Sequence, residues 1–343
     1  MNSSALHRIE QEFERNGVNI SRQTMSNWIM RCSEKYFAPF VERMKEELLS
    51  LHVTQSDETP TQVIKDSDHP NSKCYMWVHR SGEFYEDRPI VIYEYQKGRD
   101  HKRPLEFYKD YSGILVTDSL QQYHLIEKKL PNVTNANCWA HARRSFADAV
   151  KIADKKDPKS VKQSVAYQAL QKIGEFYTVD TELKMLSSQE RLQKRQELIK
   201  PLVEEFFAWV KEQIEQCSVP PKSKTGEGLR FIINQEKYLR VFLEDGDVPI
   251  DNSASERAIR TFCLGKKNWM FHNTANGAAA SALVYSISET AKLNNLRPYY
   301  YFKYILTELP NFCDEQGNID STKLVDLMPW SDKLPEECRK PRR

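Results

Sequence analysis

Gly113-Ile114-Leu115-Val116-Thr117 is a compact apolar and β-branched run that stops at Asp118. A run this short and continuous fits a strand buried on both faces. A carboxylate directly at its end is costly unless it is paired or metal-bound. The run therefore calls for a sheet covered by helices, and in open α/β sheets sites form beyond strand ends. Two more acids stand in distinct settings. Asp57 lies in the strand-like VTQSDETPTQVI, where alternation lets only one of Asp57 and Glu58 face a site. Glu256 follows Pro249-Ile250-Asp251-Asn252-Ser253, a cluster of helix N-cap residue types, which places it in the first turns of a helix. Asp251 is accounted for as a cap, and Glu289, inside a long helical run, as structural. Asp57, Asp118 and Glu256 form the candidate set, and their carboxylates are expected to converge within a few ångströms. Such oxygens suit Mg²⁺, a hard cation. Two ions about 3.5–4 Å apart can stabilise both the attacking and the leaving oxygen of a phosphodiester.

The rest of the chain reads as helices around strands. Residues 5–15 form a short helix with Leu6, Ile9 and Phe13 on one face, stopped by Asn16-Gly17. Ser21 caps a second helix, in which Met25, Trp28, Ile29 and Cys32 recur as a buried stripe. Its other side shows Gln23, Asn27 and Arg31, side chains able to reach base edges or phosphates in a major groove. From these residues alone a solvated polar face on an ordinary helical hairpin is the favoured reading. CYMWVHRSGEFY and RPIVIYEYQ are strand-like around the turn signal Ser81-Gly82. A short helix is expected over Pro104 to Tyr111 and another over Ser119 to Leu130. NVTNAN is a further strand, leading to a helix with Arg143 and Arg144. From 151 to 222 only helical signals occur, so an all-helical insertion is expected there, followed by KSKTGEG as a flexible connector. After Glu256, Arg257 and Arg260 fall on one helix side. Lys266 and Lys267 stand beside Trp269 and Phe271, a pairing that can grip phosphates and stack on bases, although Trp269 equally suits a core anchor. His141 reads as a semi-buried histidine. The tail from 310 shows little periodicity, and its end, CRKPRR, reads as a mobile basic cluster. The expected parse is 1–51 N-terminal helices, 52–309 a core carrying the insertion, and 310–343 a tail.

Composition narrows the partners without naming one. Charged residues make up 29% of 343, yet the net charge is only +2, so binding to nucleic acid has to come from local basic patches. The seven cysteines are scattered and form no C-x-x-C pair, which argues against a disulfide framework or a cysteine-rich zinc site. The N-terminus lacks an apolar signal region, and no apolar run nears the ~20 residues a membrane span needs. The expectation is a soluble intracellular protein.

SDETPTQV, GILVTDSLQQY, NCWAHARRSFADA, IDNSASERAIRTFCLGKKNWMF, YSISETAKLNNLRPYYYFKYILTELP and LMPW follow one another along the chain. In this order they resemble transposases of the insertion-sequence 66 family. The Asp-Asn-x-x-x-Glu-Arg block followed by Gly-Lys-Lys-Asn-Trp is the most specific part. The resemblance implies an α/β fold: an RNase H-like mixed sheet flanked by helices, with an N-terminal helix-turn-helix-like DNA-binding segment and the helical insertion. It makes Asp57, Asp118 and Glu256 an Asp-Asp-Glu triad holding two Mg²⁺ ions, with Mn²⁺ an alternative. Gln23, Asn27, Arg31, Arg143, Arg144, Arg257, Arg260, Lys266 and Lys267 become candidate DNA contacts. It further implies strand cleavage and strand transfer on transposon ends and target DNA, accessory proteins of the same element, an active homo-oligomer, no membrane, and a bacterial cytoplasmic, nucleoid-associated location. Family members often carry Asn where Ser253 stands and Arg where Lys266 stands. They also look longer at the N-terminus, with a leucine-rich coiled region and a cysteine-rich zinc-binding segment, so the expectation is either an internal start at Met1 or a shortened copy. Two alternatives stay open: a nuclease of this fold that only hydrolyses, and a non-catalytic DNA-binding remnant.

Overall fold

The computed structural model describes residues 4–65, 74–100, 102–156, 161–316 and 318–341. In chain order it contains α1 (Leu6–Arg15), α2 (Arg22–Cys32), α3 (Ala38–Leu49), β1 (Val53–Thr61), β2 (Val63–Lys65), β3 (Cys74–Ser81), β4 (Val91–Gln96) and α4 (Lys102–Phe107). Then come β5 (Gly113–Thr117), α5 (Gln121–Lys129), β6 (Val133–Asn137), α6 (Trp139–Ala142), α7 (Arg144–Lys156), α8 (Val165–Glu182), α9 (Ser188–Lys194), α10 (Lys200–Glu215), α11 (Lys224–Asn234) and α12 (Glu236–Leu239). The last elements are α13 (Ser253–Trp269), β7 (His272–Thr274), α14 (Ala275–Leu293) and α15 (Pro298–Glu308). Contacts divide the chain into two compact units, residues 1–81, 85–112 and 254–343 in the first and 82–84 and 113–253 in the second. Antiparallel and parallel strand pairs both occur among many helices, so the class is mixed α/β.

In the first unit β1 pairs antiparallel with β3, and β3 with β4. Alternation sends Met76 and Val78 of β3 and Val91 and Tyr93 of β4 to one face, where they bury against Ile259 and Phe262 of α13 and Ala282 of α14. β4 does not leave its outer backbone bare. Ser286 Oγ accepts from the Tyr93 N–H at 2.8 Å, and Thr290 Oγ1 accepts from the Val91 N–H at 3.0 Å and donates to the Val91 carbonyl at 2.9 Å. One turn apart on α14, the two hydroxyls take the place of a neighbouring strand. A second small sheet, β2 parallel to β7, lacks any signal in the sequence, because strands of three residues are too short to show periodicity.

The N-terminal helices depart from expectation. Met25 is buried, but Trp28 is 53% and Ile29 38% exposed, so the expected buried stripe is covered only in part. Its neighbour α1 has no buried residue and offers a shallow contact only. Past Cys32 the chain stays helical, passing through a π-helical turn, Ser33–Phe37, directly into α3. Pro39 gives the reason. Proline removes one N–H and crowds the carbonyl four residues back, and a wider turn relieves the clash. The same device recurs at Arg195–Ile199, just ahead of Pro201.

In the second unit β5 and β6 pair in parallel, Thr117 opposite Asn137. Within 151–222 the described residues contain helices and turns and no strand. Trp139 sits among Phe176, Phe206, Phe207 and Phe242 and donates its Nε1–H to the Leu239 carbonyl at 2.8 Å. KSKTGEG is no flexible connector. Ser223 caps α11 by accepting from the Gly226 N–H. Gly226 lies against the Pro220 carbonyl, which an added Cβ would meet at 2.4 Å, and Gly228 lies against the Phe146 ring. These glycines serve close packing, not looseness. The tail is also not a mobile end over its described part. Leu324, Leu327, Met328, Leu334 and Cys338 are buried, the Tyr301 hydroxyl donates to the Leu327 carbonyl, and Leu296 bridges to Arg339.

Candidate functional site

Asp57 stands mid-strand in β1, half-buried, opposite Val78. Opposed residues of an antiparallel pair share a face, so Asp57 faces the side on which Val78 meets α13. Two contacts fix how β1 and α13 run together. Thr59 Oγ1 meets Cys263 Sγ at 3.6 Å, and Lys266 Nζ donates to the Pro60 carbonyl at 2.8 Å. Strand and helix therefore run in the same direction. Going back from the Thr59–Cys263 contact, Asp57 lies two strand residues away, about 7 Å. Glu256 lies seven helical residues away, about 10 Å, on the same side of the helix because seven residues make nearly two turns. The two acids thus stand toward one end of the same strand–helix pair. Tyr93 secures the helix beside Glu256 by donating its hydroxyl to the Ala258 carbonyl at 2.9 Å.

Glu58, the rival of Asp57, has a different occupation. Its side chain is fully buried and bonded to Arg99 Nε at 2.5 Å. Asp251 accepts from the Ser253 N–H at 2.9 Å, the capping role expected of it. Glu289 pairs with Lys292 along α14.

Asp118 belongs to the second unit. It follows β5 directly and is half-buried, and its Oδ1 accepts from the Leu120 N–H at 3.2 Å. Ser119 between them has φ 72°, a left-handed conformation that costs a non-glycine residue of order 1–3 kcal/mol. The strand end behind Asp118 is held by a buried polar chain. Thr117 donates to Asn135, Asn135 to Asn137, and Asn137 to Gln235, at 3.2, 3.0 and 2.8 Å. This chain accounts for a strand rich in asparagine, a residue that strands normally disfavour. Sequence patterning does not reveal it, since Thr117, the Asn135–Asn137 pair and Gln235 are far apart along the chain.

Among the described residues no group of three or more His, Cys, Asp or Glu side chains is arranged to hold a metal ion. Asp57 and Glu256 stand in the first unit and Asp118 in the second. Taken one by one, each is a half-buried carboxylate, a hard oxygen donor of the kind that Mg²⁺ takes.

Of the candidate cations, Arg257, Arg260 and Lys267 are exposed on α13. Lys266 and Lys267 lie in the last turn of that helix, and Lys266 is engaged with the Pro60 carbonyl. Trp269 is a core anchor, edge-on to Phe262 at 5.3 Å. Arg143 and Arg144 are exposed, Arg143 lying 6.0 Å from the Tyr177 ring. Burial and the Arg144 charge push His141 down to about 4 against the opposing pull of Asp251, so it is a neutral imidazole at pH 7. Gln23, Asn27 and Arg31 are exposed on α2, with Gln23 donating to Asn27 at 3.0 Å.

Fold and donors together define a mixed α/β protein whose candidate acids stand on a strand, past a strand end and at a helix start. The chain belongs to the IS66 transposase family: the family's transposase model matches residues 1–280, and its C-terminal element matches 286–330. It is similar to three uncharacterized proteins of Sinorhizobium fredii. Identity to y4hP is 26% over 95% of this chain, to y4qI 28% over 96%, and to y4jD 24% over 96%. The chain spans 59% of the first two and 63% of the third. No helix among the described residues is long and apolar enough to cross a membrane.

Proposed function

We propose that this protein is a DNA transposase with an RNase H-like core, in which Asp57, Asp118 and Glu256 act as a carboxylate triad. The family match supports DNA as substrate. The observation that carries the triad is the alignment of β1 with α13, which sets Asp57 and Glu256 toward the same end of one strand–helix pair. The three carboxylates would hold two Mg²⁺ or Mn²⁺ ions, which when bound supply charge neutralisation at the scissile phosphate and a lowered pKa for the attacking water or 3′-hydroxyl. The chain's own residues do the rest. Glu256 is held in place by the helix that Tyr93 and Lys266 tie to the sheet. Asp118 is held by the strained turn at Ser119 and by the amide chain behind it. Arg257, Arg260 and Lys267 bind phosphates along α13, with Arg143 and Arg144 as a second basic pair. Gln23, Asn27 and Arg31 of α2 read the element's ends, the N-terminal helices acting as the DNA-binding segment. Active protein is a homo-oligomer in the bacterial cytoplasm, working on the nucleoid with other proteins of the element.

The test is a strand-transfer assay. Purified protein, Mg²⁺ and an end-labelled duplex ending in the element's terminal sequence are mixed with supercoiled plasmid. Joined products are expected. Hydrolysed fragments without joining would identify a nuclease that only cuts, and binding without any metal-dependent product a DNA-binding remnant.

A further inference from the structure

Beyond Glu256, α13 turns one continuous face to solvent. Arg260, Leu264 and Lys267 are exposed on it at helical spacing, Leu264 by 55%. The face does not end in a polar cap. Met270 takes φ 65°, a left-handed conformation rare for a long side chain, and the Phe271 N–H folds back to the Trp269 carbonyl at 2.8 Å. This tight turn separates neighbours sharply. Trp269 goes inward, edge-on to Phe262, and His272 goes inward against Trp269 at 4.4 Å. Met270 and Phe271, between them, are left 64% and 46% exposed. Ile64 of β2, the strand paired with β7, is 46% exposed as well.

Adjacent apolar side chains held outward from a strained turn cost free energy in water and do nothing for the core. They need an occupant, and the charge around them selects it. Arg260 and Lys267 make no ion pair among the described residues, and α13 carries no acid after Glu256. A protein partner's apolar face would have to be acidic to match. Nucleic acid offers anionic phosphates for the cations and flat apolar base faces for the wedge in one molecule. Inserted Phe, Leu and Met side chains are a known means of prising base steps apart.

We infer that Met270 and Phe271 form an apolar wedge that stacks on an unpaired or unstacked base of the bound DNA, while Arg260 and Lys267 hold the adjoining phosphates. This rests on the transposase reading but adds to it a contact with bases at a place distinct from the triad. Met270 follows Glu256 by fourteen residues of mostly helical chain, about 20 Å. The wedge therefore grips DNA flanking the cut and leaves the scissile phosphate to the acids. Stacking is tolerant of sequence, since every base has a flat face.

The full chain is titrated against fully paired duplexes and forked duplexes of the same random sequence, with 2-aminopurine scanned through the fork. Wild-type protein is expected to favour the fork and to change the fluorescence at one or two positions. Phe271→Ala should weaken fork binding about 5- to 150-fold, the equivalent of ~1–3 kcal/mol for one base–aromatic stack. Duplex binding should change little, and Phe271→Tyr should restore the fork preference. Met270→Gly relieves the strained φ, so it stays folded while losing half the wedge, and it should lower the 2-aminopurine response. Unchanged fork preference and fluorescence in both Phe271→Ala and Met270→Gly overturns the wedge, with metal-dependent cleavage by the same proteins showing that the transposase reading survives. Loss of self-association in sedimentation, with DNA binding intact, would instead assign the patch to a second copy of the chain. Wild-type protein that binds neither DNA removes the transposase reading itself.

Discussion

His272 carries a titration that the fold imposes. Burial and the Lys266 ammonium hold it down to about 4, from an ordinary 6.5. Above pH 6.5 the group is neutral in folded and unfolded chain alike and contributes no pH dependence. Between about 6.5 and 4 the unfolded chain takes up the proton and the folded chain does not, so stability falls as pH falls, by up to about 3 kcal/mol. His272→Phe keeps a ring beside Trp269 and Phe262 and removes the titration. Urea melts of this variant should lose less stability between pH 7 and 4.5 than the wild type does, and an identical loss would place the effect on other groups. The neighbouring lysines should separate in the same way. Lys267 is exposed and should contribute about 0.9 to the log–log salt slope of DNA binding, as one phosphate contact does. Lys266 is bonded to the Pro60 carbonyl, so Lys266→Ala should cost about 0.5–1.5 kcal/mol of stability with a smaller change in slope. Filter binding across salt with each single variant decides it; equal slopes would make the two lysines equivalent.

At the scale of elements, α14 substitutes for a missing strand beside β4. Ser286→Ala with Thr290→Val leaves the backbone groups of Val91 and Tyr93 without these partners in a buried place. The cost should be about 1–3 kcal/mol for each orphaned group, read as a lower denaturant midpoint at unchanged slope. A midpoint equal to the wild type would mean that water reaches β4 and serves it equally well. These hydroxyls mark a limit of sequence reading. Ser286 and Thr290 look like ordinary polar positions in a helical run, and only the packed strand explains them. The long strands β1, β3, β4 and β5 were legible because alternation or continuous apolarity records burial. β2 and β7 were not, being three residues each. The glycines of α11 read as loop from sequence because glycine marks looseness and close approach alike, and Pro220 and Phe146 decide which. Trp28 and Ile29 misled for a related reason: helical spacing shows which residues share a face, not whether anything covers it.

At the scale of the whole molecule, family membership and the mixed α/β class could both be read from ordered motifs. The candidate acids could be read one by one: a carboxylate after a buried strand, one on an alternating strand, one at a capped helix start. What held them in place could not. The Thr117–Asn135–Asn137–Gln235 chain and the β1–α13 contacts join residues up to about two hundred positions apart. The chain covers 59% of y4hP and y4qI. The most direct measurement is single-turnover cleavage of end-labelled DNA in Mg²⁺ by wild type, Asp57→Asn, Asp118→Asn and Glu256→Gln. Each substitution keeps the side chain's shape and removes the charge that an ion requires. All three variants are expected to fall to background cleavage while binding DNA nearly as the wild type does. Wild-type rates from purified, folded Asp118→Asn would contradict the carboxylate triad.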